Sequence, residues 1–167
     1  MLTSIAESNT VFAPTSFQSR PGTYALLLSS ATDAVVLIGR LGNLRLQPDY
    51  YVYVGSALGS GGVRGRLAHH MRPAERPHWH IDYLRAKTTL EAVWFRYHGK
   101  SLEHAWAKRF AAMPRASVPM IGFGSSDCGC GSHLYLFKQR PLPPPRNGSD
   151  FVQIRSFSRP LSIGGTR

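Results

Sequence analysis

Apolar positions along this chain change their spacing several times, and each change marks an element. Thr23 to Ser29 is a short Tyr/Leu-rich run closed by turn formers, and Ala34 to Ile38 is a β-branched run leading into Gly39 and Gly42-Asn43. Both read as neighbouring strands. After a turn at Pro48-Asp49, the aromatic and β-branched run Tyr50 to Val54 predicts a third. Gly59-Ser60-Gly61-Gly62 frees the backbone for a sharp reversal. Val63 to Met71 then has no breaker except Gly65 and stops before Pro73, as a short helix does. His78 to Leu84 predicts one or two helical turns, and Leu90 to Tyr97 an imperfectly alternating strand. Leu102 to Met113, apolar at Leu102, Ala105, Trp106 and Phe110, predicts a helix ended by Pro114. A Gly/Ser loop from Gly122 to Ser132 and an apolar strand, Leu134 to Phe137, follow. The fold class is α+β: a small, mostly antiparallel three-stranded sheet with flanking helices, plus an additional C-terminal strand and loop.

The ends lack such periods. Residues 1–20 mix Ser, Thr, Asn and Pro, and residues 139–167 carry Pro141-Leu142-Pro143-Pro144-Pro145, Asn147-Gly148 and a Gly-Gly pair. The expected division is a flexible N-terminal tail (1–20), one domain (21–138) and a flexible Pro/Arg-containing C-terminal tail (139–167). Arg140, Arg146, Arg155, Arg159 and Arg167 give the second tail charge for nonspecific phosphate contacts, or simply a solvated surface. Neither a run of eighteen apolar residues nor a secretory leader is present, which predicts a cytoplasmic protein without a membrane partner. Cys128 and Cys130 are the only cysteines, too few for a disulfide framework and awkwardly close for a mutual bridge.

Charge narrows the partner. Twenty Lys+Arg against nine Asp+Glu leave a net +11 among 167 residues, with a sequence pI near 10.4. The excess persists inside residues 21–137, and it points to a polyanion such as nucleic acid, although a basic surface kept for solubility has the same signature.

The candidate chemistry lies on the predicted elements. Gly22-Thr23-Tyr24 and Tyr53-Val54-Gly55 each put a phenol on a strand, Arg66 and His70 share a helix face at a spacing of four, and Glu103 opens the later helix. Arg64 points elsewhere on the same helix and is the substitute arginine. Taken singly, each tyrosine is an ordinary half-buried strand residue, and Glu103 an ordinary first-turn acid. Together, phenol, guanidinium, imidazole and carboxylate suit cleavage of a phosphodiester.

With Arg66-Leu67-Ala68-His69-His70 as an R-x-x-x-H helix, the set resembles the GIY-YIG nuclease superfamily. His78-Trp79-His80-Ile81-Asp82-Tyr83-Leu84 and the string Gly122 to Leu134 (GFGSSDCGCGSHL) resemble its Uri-type branch more specifically, over roughly residues 21 to 138. The resemblance implies a metal-dependent endonuclease that cleaves DNA by in-line attack of water, leaving 5′-phosphate and 3′-hydroxyl ends. It also implies that Glu103 binds Mg²⁺ or Mn²⁺, and that Tyr24 acts as general base or water orienter with Tyr53 in support; which does which stays open. Glu91, at the start of a strand and readable as a solvent-facing charge, is the fallback carboxylate. Arg66 would hold the scissile phosphate and His70 would assist.

Gly55, Ser56, Arg64, His80 and Ser126 are the candidate substrate-binding positions. Asp127 opposes phosphate by charge and reads instead as a turn cap or a partner for His80. His78, His80, Cys128, Cys130 and His133 form a separate set that could hold a structural Zn²⁺, although their spacing is not that of a standard zinc module; packing is the competing role. One small domain leaves little room for a sequence reader, so the expected substrate is single-stranded or branched DNA, with Trp79, Tyr51 and Tyr83 available to stack on bases or to pack in the core. DNA repair is one of several pathways open to such an activity, and protein partners are unknown. The alternative is a noncatalytic nucleic-acid-binding module that uses the same basic surface.

Overall fold

Leu26, Leu27 and Leu28 are consecutive and all fully buried, so the strand that carries them has both faces covered. The computed structural model describes residues 17–144 and the strand 153–156. Its elements in chain order are β1 (Gly22–Ser29), β2 (Ala34–Ile38), a 3-10 turn (Gly39–Leu41), β3 (Gly42–Leu46), β4 (Tyr50–Ala57), α1 (Gly62–His70), α2 (His80–Arg85), β5 (Thr89–Tyr97), α3 (Glu103–Ala111), β6 (Leu134–Phe137) and β7 (Gln153–Ser156). The sheet runs β6-β4-β1-β5-β7 with every neighbouring pair antiparallel, and β2 and β3 form a separate hairpin.

The α+β class and the antiparallel sheet agree with the sequence, but the sheet is wider than three strands and β2 is not among them. Alternation explains this: Val36, Ile38, Leu44 and Leu46 are buried while Val35 and Leu37 are exposed, so the hairpin lays one face on the core and leaves the other to solvent. β5 is covered on both sides, which is why its alternation is imperfect. β3 was expected only as a turn at Gly42-Asn43, and β7 lies in the segment expected to be a tail. At the other end Phe17 is buried, packing edge-to-face on Phe95, so ordered packing begins upstream of residue 21. Residues 1–16, 145–152 and 157–167 of the two expected tails lie outside the described residues.

Side chains alternate between two cores. Tyr24, Leu26, Leu28, Tyr51 and Tyr53 face α1, α2 and the hairpin. Ala25, Leu27, Val52 and Val54 face α3, where Trp94 stacks on Phe110 at 5.8 Å, worth about 0.5–1.5 kcal/mol beyond burial. The reversal into α1 needs Gly62, whose φ is +52° and whose added Cβ would lie 2.4 Å from the Arg20 carbonyl oxygen. Among the described residues no helix is long and apolar enough to cross a membrane.

Candidate active site

Antiparallel register brings the two tyrosines together. Tyr24 opposes Gly55 and Leu26 opposes Tyr53, so the phenols stand diagonally on one face with ring centroids 6.5 Å apart. Gly55 makes room for the first: a Cβ there would come 2.5 Å from the Tyr24 hydroxyl. Gly124, at φ +68°, does the same for Tyr53, since its Cβ would meet the ring at 2.8 Å. α1 lays His70 over this face, with Nε2 2.8 Å from the Tyr24 hydroxyl and the ring buried.

Asp82 organises the neighbouring wall. One carboxylate oxygen accepts the backbone N–H groups of His78 and Trp79, each at 3.0 Å, and the other lies 2.7 Å from His69 Nε2. An acid in the first turn of α2 thereby closes the helix start and fixes Trp79 just before it. The Trp79 ring, 38% exposed, carries the Arg66 guanidinium 4.3 Å from its centroid, so the arginine stands against an aromatic plane at the cleft. Arg85 braces the back, its Nε donating to the His70 carbonyl at 2.9 Å.

Glu103 comes from the layer on the far side of the sheet. Thr23 Oγ1 accepts the Leu102 N–H at 2.9 Å, which ties the start of α3 to β1 and brings Glu103 to the same cleft. Glu103 Oε1 lies 3.1 Å from His133 Nδ1, an ion-pair distance off the hydrogen-bond axis. The cleft encloses about 240 Å³, and Tyr24, Tyr53, Arg66, His70 and Glu103 all line it. Ser56 and Asp127 are on its wall as well.

Burial sets the protonation states. Desolvation raises Tyr24 well above the ordinary phenol value, with Tyr53 and Glu103 adding to the rise and Arg66 opposing it. Tyr53 is raised by desolvation and then by Glu103. Desolvation followed by the neighbouring His69 lowers His70 to about 3, so it is neutral at pH 7. Buried and neutral, the Tyr24–His70 pair is a fixed hydrogen bond that holds the phenol in place, since moving its proton to the imidazole would leave two buried charges.

Other expected positions do not join the cleft wall. Arg64 donates its Nε to the Phe17 carbonyl at 2.7 Å and serves the N-terminal segment. His80 Nδ1 accepts the Gly124 N–H at 3.1 Å and holds the loop, which Asp127 does not need to do. Ser126 is exposed outside the wall, and Gly55 provides space, not a contact to ligand. Glu91 accepts from Ser29 and meets Arg140 at 3.5 Å on β5, away from the cleft. Tyr51 is buried with its hydroxyl 3.2 Å from the Gln47 carbonyl, and Tyr83 is half-buried beside Gly39, and neither lines the cleft.

The supposed zinc set is also rearranged. His78 is exposed and turned toward Trp79, and His80 is engaged by the loop, while His104 joins Cys128, Cys130 and His133. Sequence reasoning missed His104 and the bracing role of Asp82. Both were legible in part: His104 follows Glu103 in the first turn of α3, and Asp82 sits three residues after Trp79, the spacing of an acid that closes a helix start. Residues 23–147 match the family described as "Domain of unknown function DUF123", and no curated protein or solved structure matches the chain.

Proposed function

The chain belongs to the DUF123 family, and from its cleft we propose that it is a metal-dependent endonuclease of GIY-YIG type that hydrolyses phosphodiester bonds in DNA. One observation carries the reading: Tyr24, Tyr53, Arg66, His70 and Glu103, from four elements and both sides of the sheet, line a single cleft. That convergence is what hydrolysis of a phosphodiester requires and what a solvated basic surface does not.

In this reading Arg66, always charged and held over the Trp79 ring, holds two oxygens of the scissile phosphate. Tyr24, held by its hydrogen bond to neutral His70, orients the attacking water, and Tyr53 supports the same water. The residues fit a divalent cation of the magnesium type. Glu103 is a single carboxylate, 19% exposed, facing open volume, and such an ion keeps several waters and takes substrate oxygens. Bound there, Mg²⁺ or Mn²⁺ supplies neutralising charge for the phosphoryl and leaving oxygens. Single-stranded or branched DNA is the proposed substrate because Trp79, 38% exposed, offers an aromatic face on the cleft wall on which an unpaired base could stack.

The test is a panel of labelled single-stranded, duplex, flap and junction DNAs with and without Mg²⁺ or Mn²⁺. Cation-dependent cleavage that Glu103→Ala abolishes, with DNA binding retained, is the expected result. Binding without turnover by the unaltered protein would leave only a nucleic-acid-binding module.

A further inference from the structure

Beside the cleft, four side chains offer ligand atoms that all lie within 4.8 Å of one another: His104 on α3, and Cys128, Cys130 and His133 on the loop before β6. We propose that these four bind a structural zinc ion that fastens the loop to α3.

Donor chemistry chooses the metal. Two thiols and two imidazoles make the S₂N₂ set that suits Zn²⁺, whereas Mg²⁺ and Mn²⁺ want oxygens. Tetrahedral zinc, with Zn–N about 2.0 Å and Zn–S about 2.3 Å, separates its ligand atoms by roughly 3.3–3.8 Å. Cys128 Sγ already lies 3.4 Å from His133 Nε2, and both cysteines are free thiols. The rings of His104 and His133 are 5.9 Å apart, so only a modest contraction closes the shell.

His133 adds an independent indication. Its ring is buried, with Nε2 toward the cysteine and Nδ1 toward the Glu103 carboxylate at 3.1 Å. A carboxylate behind a histidine ligand is the usual outer partner of zinc, and here Glu103 stands at that distance from Nδ1, off the hydrogen-bond axis, so a small turn of the His133 ring on metal binding would complete the pair. The loop also needs a fastening. Gly122, Gly124, Gly129 and Gly131 make it costly to order, and it is without helix or strand. A zinc ion there would hold the loop and, through His133, fix the carboxylate that faces the cleft.

Metal content of the full chain, purified under reducing conditions without chelator, tests this. Stoichiometric zinc is expected, and replacement by Co²⁺ should give the thiolate charge-transfer band and the intense visible bands of a tetrahedral site. Cys130→Ser and His104→Ala should lose stoichiometric metal, and His78→Ala, outside the cluster, should keep it. His104 is exposed, so its variant reports on the site even if the cysteine variant does not fold. Zinc-reconstituted protein that holds none, a different metal in its place, or His104→Ala binding as tightly as the unaltered chain would overturn the assignment. The readout involves no DNA, so it stands or falls separately from the nuclease reading.

Discussion

At the scale of single residues, burial decides what His70 can be. Desolvation and the neighbouring His69 lower it to about 3, against an ordinary value of 6.5; Asp82 pulls the other way, while Arg66 and Arg85 add to the lowering. An unfolded chain takes up this proton near pH 6.5 and the folded one only near 3, so in between the unfolded state holds more protons. The stability present above pH 6.5 is therefore lost progressively as pH falls toward 3. Asp82 is a separate case. Burial works against its ionised form, but the N–H groups of His78 and Trp79 and the His69 side chain outweigh it, and the carboxyl ends below its ordinary 3.8. Its loss therefore falls at still lower pH. Urea midpoints at pH 7, 5.5 and 4.5 should decline in the native protein and decline less in His70→Asn. Parallel declines would mean that another group takes up the proton.

At the scale of elements, the β1–β4 pair sets the distance between the phenols, and a missing methyl group keeps it. Gly55→Ala would put a Cβ 2.5 Å from the Tyr24 hydroxyl, so the ring must swing away from His70. We expect a loss of about 1–3 kcal/mol in stability and, under the proposed function, lost cleavage. Gly59→Ala, where nothing lies within 4 Å of the added carbon, should stay within about 0.5 kcal/mol. Equal denaturation midpoints and equal rates for the two variants would refute this account of Gly55. Sequence alone located both strands and their tyrosines, because aromatic and β-branched runs between turn formers carry a local signal. It could not tell that Gly55 is space for Tyr24, since that depends on register across the hairpin. The five-stranded sheet was hidden for a similar reason: a covered β5 loses its alternation, and the one-sided β2–β3 hairpin looks like any other strand pair. The expected zinc ligands misled because His78-x-His80 has a ligand-like spacing within itself, yet it lies far upstream of Cys128 and its side chains are engaged by Trp79 and Gly124 in space.

At the scale of the whole molecule, the proposed function makes recruitment and cutting depend on different features of the same arginine. A net charge of +11 will gather a polyanion wherever its phosphates can reach, and affinity for single-stranded DNA should fall linearly in log–log terms with salt, about 0.7 per phosphate neutralised. Arg66→Lys keeps that charge, so the salt slope should not change. It removes the planar group that lies 4.3 Å from the Trp79 ring centroid, and with it the fork that would position two phosphate oxygens. Under the proposed chemistry, cleavage by the lysine variant should drop about 10²-fold, the scale of an error of about 1 Å in placing the reacting group. Arg66→Gln should lower both the slope and the rate. The pair of variants separates the two contributions: a lysine that cuts as well as arginine would reduce Arg66 to one more surface charge, whereas a slow lysine with an unaltered slope locates the chemistry in the geometry of the Arg66–Trp79 stack.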